Sequence, residues 1–225
     1  MRVLVIVAHP DDEVLGCGAT MARLAREGHQ VHAVILGEGI TSRRLHREET
    51  DPSLLDTLRE SSREAAKILG AEKPQFNGLP DNRFDTVALL DVVKLVEEVV
   101  ERVAPAAIYT HHGGDLNIDH RVVHQAVLTA TRPVAGCPVK EVYACEIPSA
   151  TEWSFGQLRP FVPTVFVDVS ETLELKVRAM ELYKSEIRAF PHPRSQEVMR
   201  ANALHWGSTA GLGWAEAFQL IRSIR

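Results

Sequence analysis

The chain opens on apolar residues that do not alternate with polar ones. Residues 2–8 (RVLVIVA) are almost wholly Val, Leu, Ile and Ala, which predicts a strand buried on both faces of a parallel sheet. Residues 14–26 then place Leu15, Ala19, Ala22 and Ala25 near helical spacing, with Gly28 as the stop signal. Residues 30–36 (QVHAVIL) predict a second strand. Strand, helix and strand in immediate succession predict a right-handed parallel unit.

Residues 37–53 (GEGITSRRLHREETDPS) break the pattern, being polar and without periodicity. They read as a long loop, and long loops in compact domains are often functional. Residues 54–69 return to a helix ending at Gly70, and 75–79 predict a short strand that leads into the turn PDNRFD. The clearest amphipathic helix is 86–103, where Leu89, Val92, Val93, Val96, Val99 and Val100 share one stripe and Pro105 ends the run. Residues 106–110 (AAIYT) predict another strand, which runs into HHGGDLNIDH, and 119–131 predict a helix before Pro133. Beyond these, VKEVYACEI and TVFVDV read as strands, 173–188 as a helix and GLGWAEAFQLI as a final segment. No repeat, low-complexity tract or linker divides the chain. The expected architecture is one domain over 1–225, a Rossmann-like three-layer α/β sandwich with a mostly parallel sheet and extra C-terminal strands.

Composition narrows the partners. With 45% hydrophobic and 24% charged residues the chain reads as a soluble globular domain. A net charge of −5 without a long basic run disfavours nucleic acid and favours a small-molecule ligand. Cys17, Cys137 and Cys145 are odd in number and lack CxxC spacing, in keeping with a reducing cytoplasm. The N-terminal apolar run is too short for a signal peptide, and no stretch has the roughly 18 apolar residues of a membrane span.

The ionisable groups are concentrated where two predicted strands end. His9, Asp11, Asp12 and Glu13 follow the first, and Asp115, Asn117, Asp119 and His120 follow the strand at 106–110. Ligands in open α/β sheets sit outside the carboxyl ends of the strands, so adjacency of these two strands would bring the turns together. Two imidazoles and one carboxylate with an open position form a zinc set of the hydrolytic kind, and a cation would compensate the crowded acids. The same set serves non-haem iron. Alternatively, Asp11 or Asp12 caps the helix that follows. A dinucleotide site fits poorly: Gly16 and Gly18 form a GxG, but Met21 stands where the third glycine belongs, and the adjacent acids repel a pyrophosphate.

AHPDDE at 8–13 and the NIDH element at 117–120 resemble the PIG-L/LmbE-like zinc-dependent N-deacetylases, as do RESSREAAKILG, LPDNRFD and GSTAGLGWAEAF. The resemblance spans nearly the whole chain. It implies hydrolysis of the N-acetyl group of an amino sugar, often an N-acetylglucosaminyl conjugate, with release of acetate and a free amine. One Zn²⁺ per chain is implied, held by His9, Asp12 and His120, with Asp11 as general base. Asn117 stands where many members have a His that stabilises the oxyanion. That role then falls to Asn117 as a weaker donor, or to His112 or His192 from a neighbouring loop. Asp119 is expected to orient an imidazole, and Arg59, Asp81 and Arg83 match places where the family meets sugar hydroxyls. His124 reads as packing or as a support behind the metal ligands, His29 and His111 as structural, and Trp206 and Trp214 as either sugar-stacking or core residues. A homo-oligomer is in keeping with the family. Two other functions share these residues: an amidohydrolase of a small thiol-sugar conjugate, and a non-catalytic sugar- or nucleotide-binding module. The second requires a metal site closed by a fourth ligand, from His124 or Asp115.

Overall fold

The computed structural model describes residues 1–43 and 51–225. Strands β1 (Arg2–Val7), β2 (Gln30–Gly37), β3 (Gln75–Leu79), β4 (Ala107–His111), β5 (Glu141–Cys145), β6 (Val165–Asp168) and β7 (Ala215–Ser223) form one sheet. Helices α1 (Asp12–Arg26), α2 (Pro52–Leu69), α3 (Leu89–Val103), α4 (Ile118–Ala130), α5 (Leu173–Met180) and α6 (Gln196–Ala210) flank it. The strand order is β3-β2-β1-β4-β5-β7-β6. Strands β1 to β5 pair in parallel, and β7 runs antiparallel to both β5 and β6. The chain builds outward from β1 through β2 to β3, then crosses back to place β4 on the other side of β1. The carboxyl ends of β1 and β4 therefore flank a topological switch point, where open α/β sheets bind ligands.

The unalternating first strand is central, as its composition predicts. Val3, Val5 and Val7 enter one hydrophobic cluster with Leu15, Met21, Leu58, Leu69 and Met180. Leu4, Ile6 and Ala8 enter another, on the opposite face, with the valines of α3 and with Val123 and Val127 of α4. The predicted stripe on α3 is the face it buries, Leu89 lying at its margin. The helix ends at Ala104 in the left-handed conformation, just before Pro105.

Elsewhere the structure departs from the pattern. Helix α2 starts at Pro52, with the Asp51 carboxylate accepting from Ser53 N, so the expected loop at 37–53 is shorter at both ends; its residues 44–50 lie outside the described residues. The helix expected over 173–188 stops at Met180. Beyond it the chain turns so that Tyr183 is fully buried, its hydroxyl donating to the Glu13 carboxylate and accepting from Ser62 Oγ. Helix α6 is unexpected: its buried face is Met199, Ala203 and Gly207, too small to read as an apolar stripe. GLGWAEAFQLI supplies the inserted strand β7.

Helix α1 is broken at Cys17, whose φ of −150° and ψ of 22° are not helical. A buried ion pair fills the break. Lys176 Nζ donates to Leu15 O (2.7 Å) and to Glu216 Oε1 (2.6 Å), while the Glu216 carboxylate accepts from Ala19 N (3.2 Å) and Thr20 N (2.7 Å). One charge thus satisfies a carbonyl before the break and the other satisfies amides after it, as caps do at helix ends.

Candidate metal centre and active site

Strand β1 ends at Val7, and the next residues turn sharply into α1. Asp11 takes φ 116°, a backbone region that non-glycine residues rarely enter. Although it occupies the N-cap position, its side chain makes no capping bond, which removes the simple capping explanation of this acid. Asp11 N donates instead to Glu13 Oε2 (3.0 Å), and His9 N donates to Asp12 Oδ2 (2.9 Å), so the turn is tied by its own carboxylates.

The second turn follows β4, which pairs directly with β1. Its glycines permit a close approach: a Cβ on Gly113 would meet the His124 ring at 2.7 Å, and one on Gly114 would meet Arg159 O at 1.9 Å. The Asn117 side chain caps α4, its Oδ1 accepting from Asp119 N (2.8 Å) and His120 N (3.4 Å). That cap fixes the start of the helix and aims Asp119 and His120 at the end of β1.

There His9, Asp12 and His120 converge, their ligating atoms all within 4.8 Å of one another. Asp12 Oδ2 lies 3.3 Å from both His9 Nδ1 and His120 Nε2. The outer ring nitrogens meet further acids: His9 Nε2 lies 2.9 Å from Asp119 Oδ2 and 3.3 Å from Asp81 Oδ1, and His120 Nδ1 lies 3.2 Å from Asp115 Oδ1. Carboxylates behind imidazoles fix ring orientation and tautomer in metal sites. Asp115 is itself held by Thr151 Oγ1 (2.7 Å) and Asn117 N (2.8 Å), and Asp119 by Asn82 N (2.6 Å) and Phe84 N (2.9 Å). Asp12 Oδ1 and His120 Nε2 are buried without a hydrogen-bond partner. Orphaned donor atoms of two ligand types, converging on one point, are what a divalent cation requires.

These buried charges act strongly on one another. Burial opposes ionisation of Asp12, yet the His120 and His111 imidazoles hold its carboxyl well below the usual range. Burial likewise works against protonation of His120, but Asp12 and Asp115 carry it up to about 9. Burial pushes the Asp11 carboxyl well above its ordinary value, and the Arg194 guanidinium opposes that rise.

His9, Asp11, Asp81, Asn117 and His192 all open on one cavity of about 310 Å³, whose rim includes Trp153, Glu186, Arg188 and Arg194. This volume lies at the lower end for small-molecule sites. Several expected residues lie elsewhere. Arg59, on α2, faces Asp56 of its own helix (3.6 Å), and Arg83 is exposed; neither lines the cavity. His112 is buried with its nitrogens against Arg159 O (2.8 Å) and Gln219 Oε1 (3.1 Å), so it has no free donor. His124 Nδ1 bonds His111 O (2.8 Å), and Asp115 meets only the outer nitrogen of His120, so neither closes the cluster as a fourth ligand. Trp206 donates to Glu146 Oε1 (2.6 Å) and Trp214 packs on Val169 and Leu173; the aromatic on the cavity is Trp153.

One contributor, His111, reads from the sequence only as structural, and another, Arg194, is not foreseen there. His111 accepts from Ala8 N (2.8 Å) and stacks on His120 with ring centroids 3.9 Å apart, walling the cluster from behind. Arg194 arrives from the loop before α6 and donates to Asp11 Oδ2 (2.8 Å), Glu186 Oε2 (3.3 Å) and Ser149 Oγ (2.8 Å). Its only trace in the sequence is one arginine in FPHPRS.

Comparison with known proteins agrees with this geometry. The profile of the PIG-L family, described as GlcNAc-PI de-N-acetylase, matches residues 4–131. The chain is 33% identical over 189 residues to the uncharacterized deacetylase YaiS of Escherichia coli (strain K12), covering 81% of this chain and 90% of that protein. It is 25% identical over 234 residues to the diacetylchitobiose deacetylase of Thermococcus kodakarensis, covering 99% of this chain and 84% of the other. The crystal structure of GalB, the 4-carboxy-2-hydroxymuconate hydratase of Pseudomonas putida KT2440, superposes with a TM-score of 0.77 at 23% identity, covering 100% of this chain and 97% of that one. A hydratase on the same fold shows that the architecture alone does not name the reaction. Profile, identity and the paired acidic turns place this chain in the PIG-L family of de-N-acetylases, hydrolases of amide bonds.

Proposed function

We propose that this protein hydrolyses the N-acetyl group of an amino sugar, an N-acetylglucosaminyl conjugate, releasing acetate and a free amine. His9, Asp12 and His120 would hold one Zn²⁺, and Asp11 acts as general base. The observation that carries this reading is the placement of Asp11: its backbone is turned out of the capping role and its carboxylate opens on the cavity beside the three-ligand cluster. Relatives named as deacetylases of diacetylchitobiose and of N-acetylparomamine support the substrate class.

Held there, the cation would polarise the amide carbonyl as a Lewis acid and make the attacking water more acidic. Asp11 takes a proton from the attacking water and returns it to the nitrogen as the C–N bond breaks. Arg194 holds the Asp11 carboxylate in place and favours its ionised form against burial. Asp119 and Asp115 fix the outer nitrogens of His9 and His120, leaving the inner ones for coordination. Asp81 and Asn82 line the same cavity and offer polar contacts for sugar hydroxyls. The reaction suits a cytoplasmic enzyme acting on a small diffusible substrate; among the described residues no helix is long and apolar enough to cross a membrane.

The test is acetate release from a panel of N-acetylated amines: N-acetylglucosamine, N,N'-diacetylchitobiose, N-acetylglucosaminides of polyols and hydroxy acids, and thiol-sugar conjugates. Turnover of the glucosaminides that disappears in Asp11→Asn supports the proposal. Turnover confined to the thiol conjugates moves the substrate class, and absence of acetate from every compound refutes it.

A further inference from the structure

Amide hydrolysis places negative charge on the carbonyl oxygen, and a positioned hydrogen-bond donor at that oxygen is among the largest contributors to rate. The residue expected to supply it, Asn117, is held in a fixed orientation by structural bonds that leave it one Nδ2 hydrogen. Its Oδ1 caps α4, and its Nδ2 donates to Asn82 Oδ1 (2.9 Å). Turning the amide toward a substrate would break the bonds that hold Asp119 and His120 in place.

Several other donors around the cavity are engaged, although Arg194 Nη2 and Arg188 Nε and Nη2 have no hydrogen-bond partner among the described residues. Asn82 Nδ2 bonds Ser42 Oγ and Asp81 Oδ1, both at 3.0 Å. Arg194 uses Nε and Nη1 on Ser149, Asp11 and Glu186, and Arg188 Nη1 donates to the carbonyls of Ser185 and Ile187. His192 offers a neutral donor whose position in the ring is fixed. Its Nδ1 accepts from Arg194 N (3.1 Å), which in the neutral ring puts the proton on Nε2. Nε2 has no hydrogen-bond partner among the described residues. The ring is steadied by an edge contact with Trp153, centroids 5.5 Å apart, and both side chains line the cavity that also holds His9 and Asp11. Arg194, which fixes the His192 tautomer through its backbone, orients Asp11 through its guanidinium.

We infer that His192 is a catalytic residue, its Nε2–H donating to the carbonyl oxygen as that oxygen becomes an oxyanion. This rests on the de-N-acetylase reading above. As water attacks the acetyl carbon, the electron pair of the C=O bond moves onto oxygen and is met by Nε2–H. The imidazole transfers no proton and is unchanged when the pair returns to expel the amine. Burial, with the Arg194 and Arg188 charges, holds the ring below its ordinary pKa and so in the neutral form. Relocating the donor explains how an asparagine is tolerated at 117.

The experiment compares wild type, His192→Phe and His192→Gln in the zinc-loaded full chain. Two ligands are titrated calorimetrically: the methylphosphonamidate of glucosamine, whose tetrahedral phosphorus oxygen mimics the oxyanion, and glucosamine itself. Turnover of N,N'-diacetylchitobiose and N-acetylglucosamine is measured in parallel. For His192→Phe the expected result is a fall in kcat of about 100-fold with KM little changed. Affinity for the phosphonamidate should fall by a similar factor, while glucosamine affinity and zinc content hold. His192→Gln, which retains an N–H donor, should lie between the two and also serves if the Phe variant does not fold. A kcat close to wild type in both variants overturns the inference and leaves the de-N-acetylase reading intact. An equal loss for glucosamine and the phosphonamidate also overturns it, making His192 a general binding contact. A wild type that releases no acetate from these two substrates or from any other compound of the panel above overturns both.

Discussion

Arg194 donates to Asp11 across 2.8 Å, although the two residues are separated by 183 positions in the chain. The contact ties the turn after β1 to the loop before α6, and with it the proposed base to a residue that no local motif announces. Replacing Arg194 with Gln is expected to lower kcat/KM by about 10- to 100-fold, less than the roughly 10²- to 10⁴-fold that a general base contributes, while zinc content stays at one per chain. Steady-state kinetics beside metal analysis checks this.

Asp11→Asn and His120→Ala separate chemistry from metal binding. The first keeps the cluster His9, Asp12 and His120 intact and is expected to bind zinc normally while losing about 10²- to 10⁴-fold in turnover. The second removes a ligand and should lose both zinc and activity. Measuring metal by mass spectrometry on both proteins decides the assignment: zinc lost from Asp11→Asn, or kept by His120→Ala, refutes it.

Restoring histidine at 117 should not accelerate the enzyme. The Asn117 side chain holds the first turn of α4 through two backbone amides, and loss of a good N-cap costs about 1 kcal/mol. Asn117→His is therefore expected to melt a few degrees lower, with kcat no higher than wild type. A gain in kcat would mean that the site lacks an oxyanion donor.

The break in α1 gives a stability prediction. Lys176→Met leaves Glu216 buried beside Ala19 N and Thr20 N without its cation, and leaves Leu15 O without a donor. Removing one partner of a buried pair costs about 3–5 kcal/mol. Urea unfolding should show that loss, and Lys176→Met/Glu216→Gln should recover part of it.

Glu146 makes stability depend on pH in a defined direction. Burial raises its carboxyl pKa above the ordinary value, while its hydrogen bond from Trp206 pulls the other way. A carboxyl whose pKa is raised on folding favours the native state below the unfolded value, and that benefit is lost as pH rises through the folded value. Glu146→Gln keeps an acceptor for Trp206 without the charge. It should therefore match wild type near about pH 3.5 and melt about 2 °C or more above it near about pH 8, read by thermal denaturation at both.

What could be read from the sequence follows from what spacing encodes. The valines of α3 and the unbroken run of β1 announce their burial because one periodicity governs each. The two acidic turns were legible because His and Asp are crowded where strands end. Helix α6 was not, since Met199, Ala203 and Gly207 pack by closeness of backbone and not by bulk. The early end of α5 was hidden because Tyr183 leaves helical geometry to reach Glu13 and Ser62, both distant in the chain. Arg59 and Arg83 resembled sugar contacts by position alone, whereas Trp153 and Arg194 reach the cavity only through tertiary packing.

The segment matched by the family profile ends at residue 131, yet Arg194 and Glu216 enter from beyond it. The front half of the molecule carries every proposed zinc ligand and still borrows its electrostatic support from the back half. Transplanting the two acidic turns onto another scaffold would thus yield a metal-binding protein with an unanchored base. A designer would have to graft the rear guanidinium along with them.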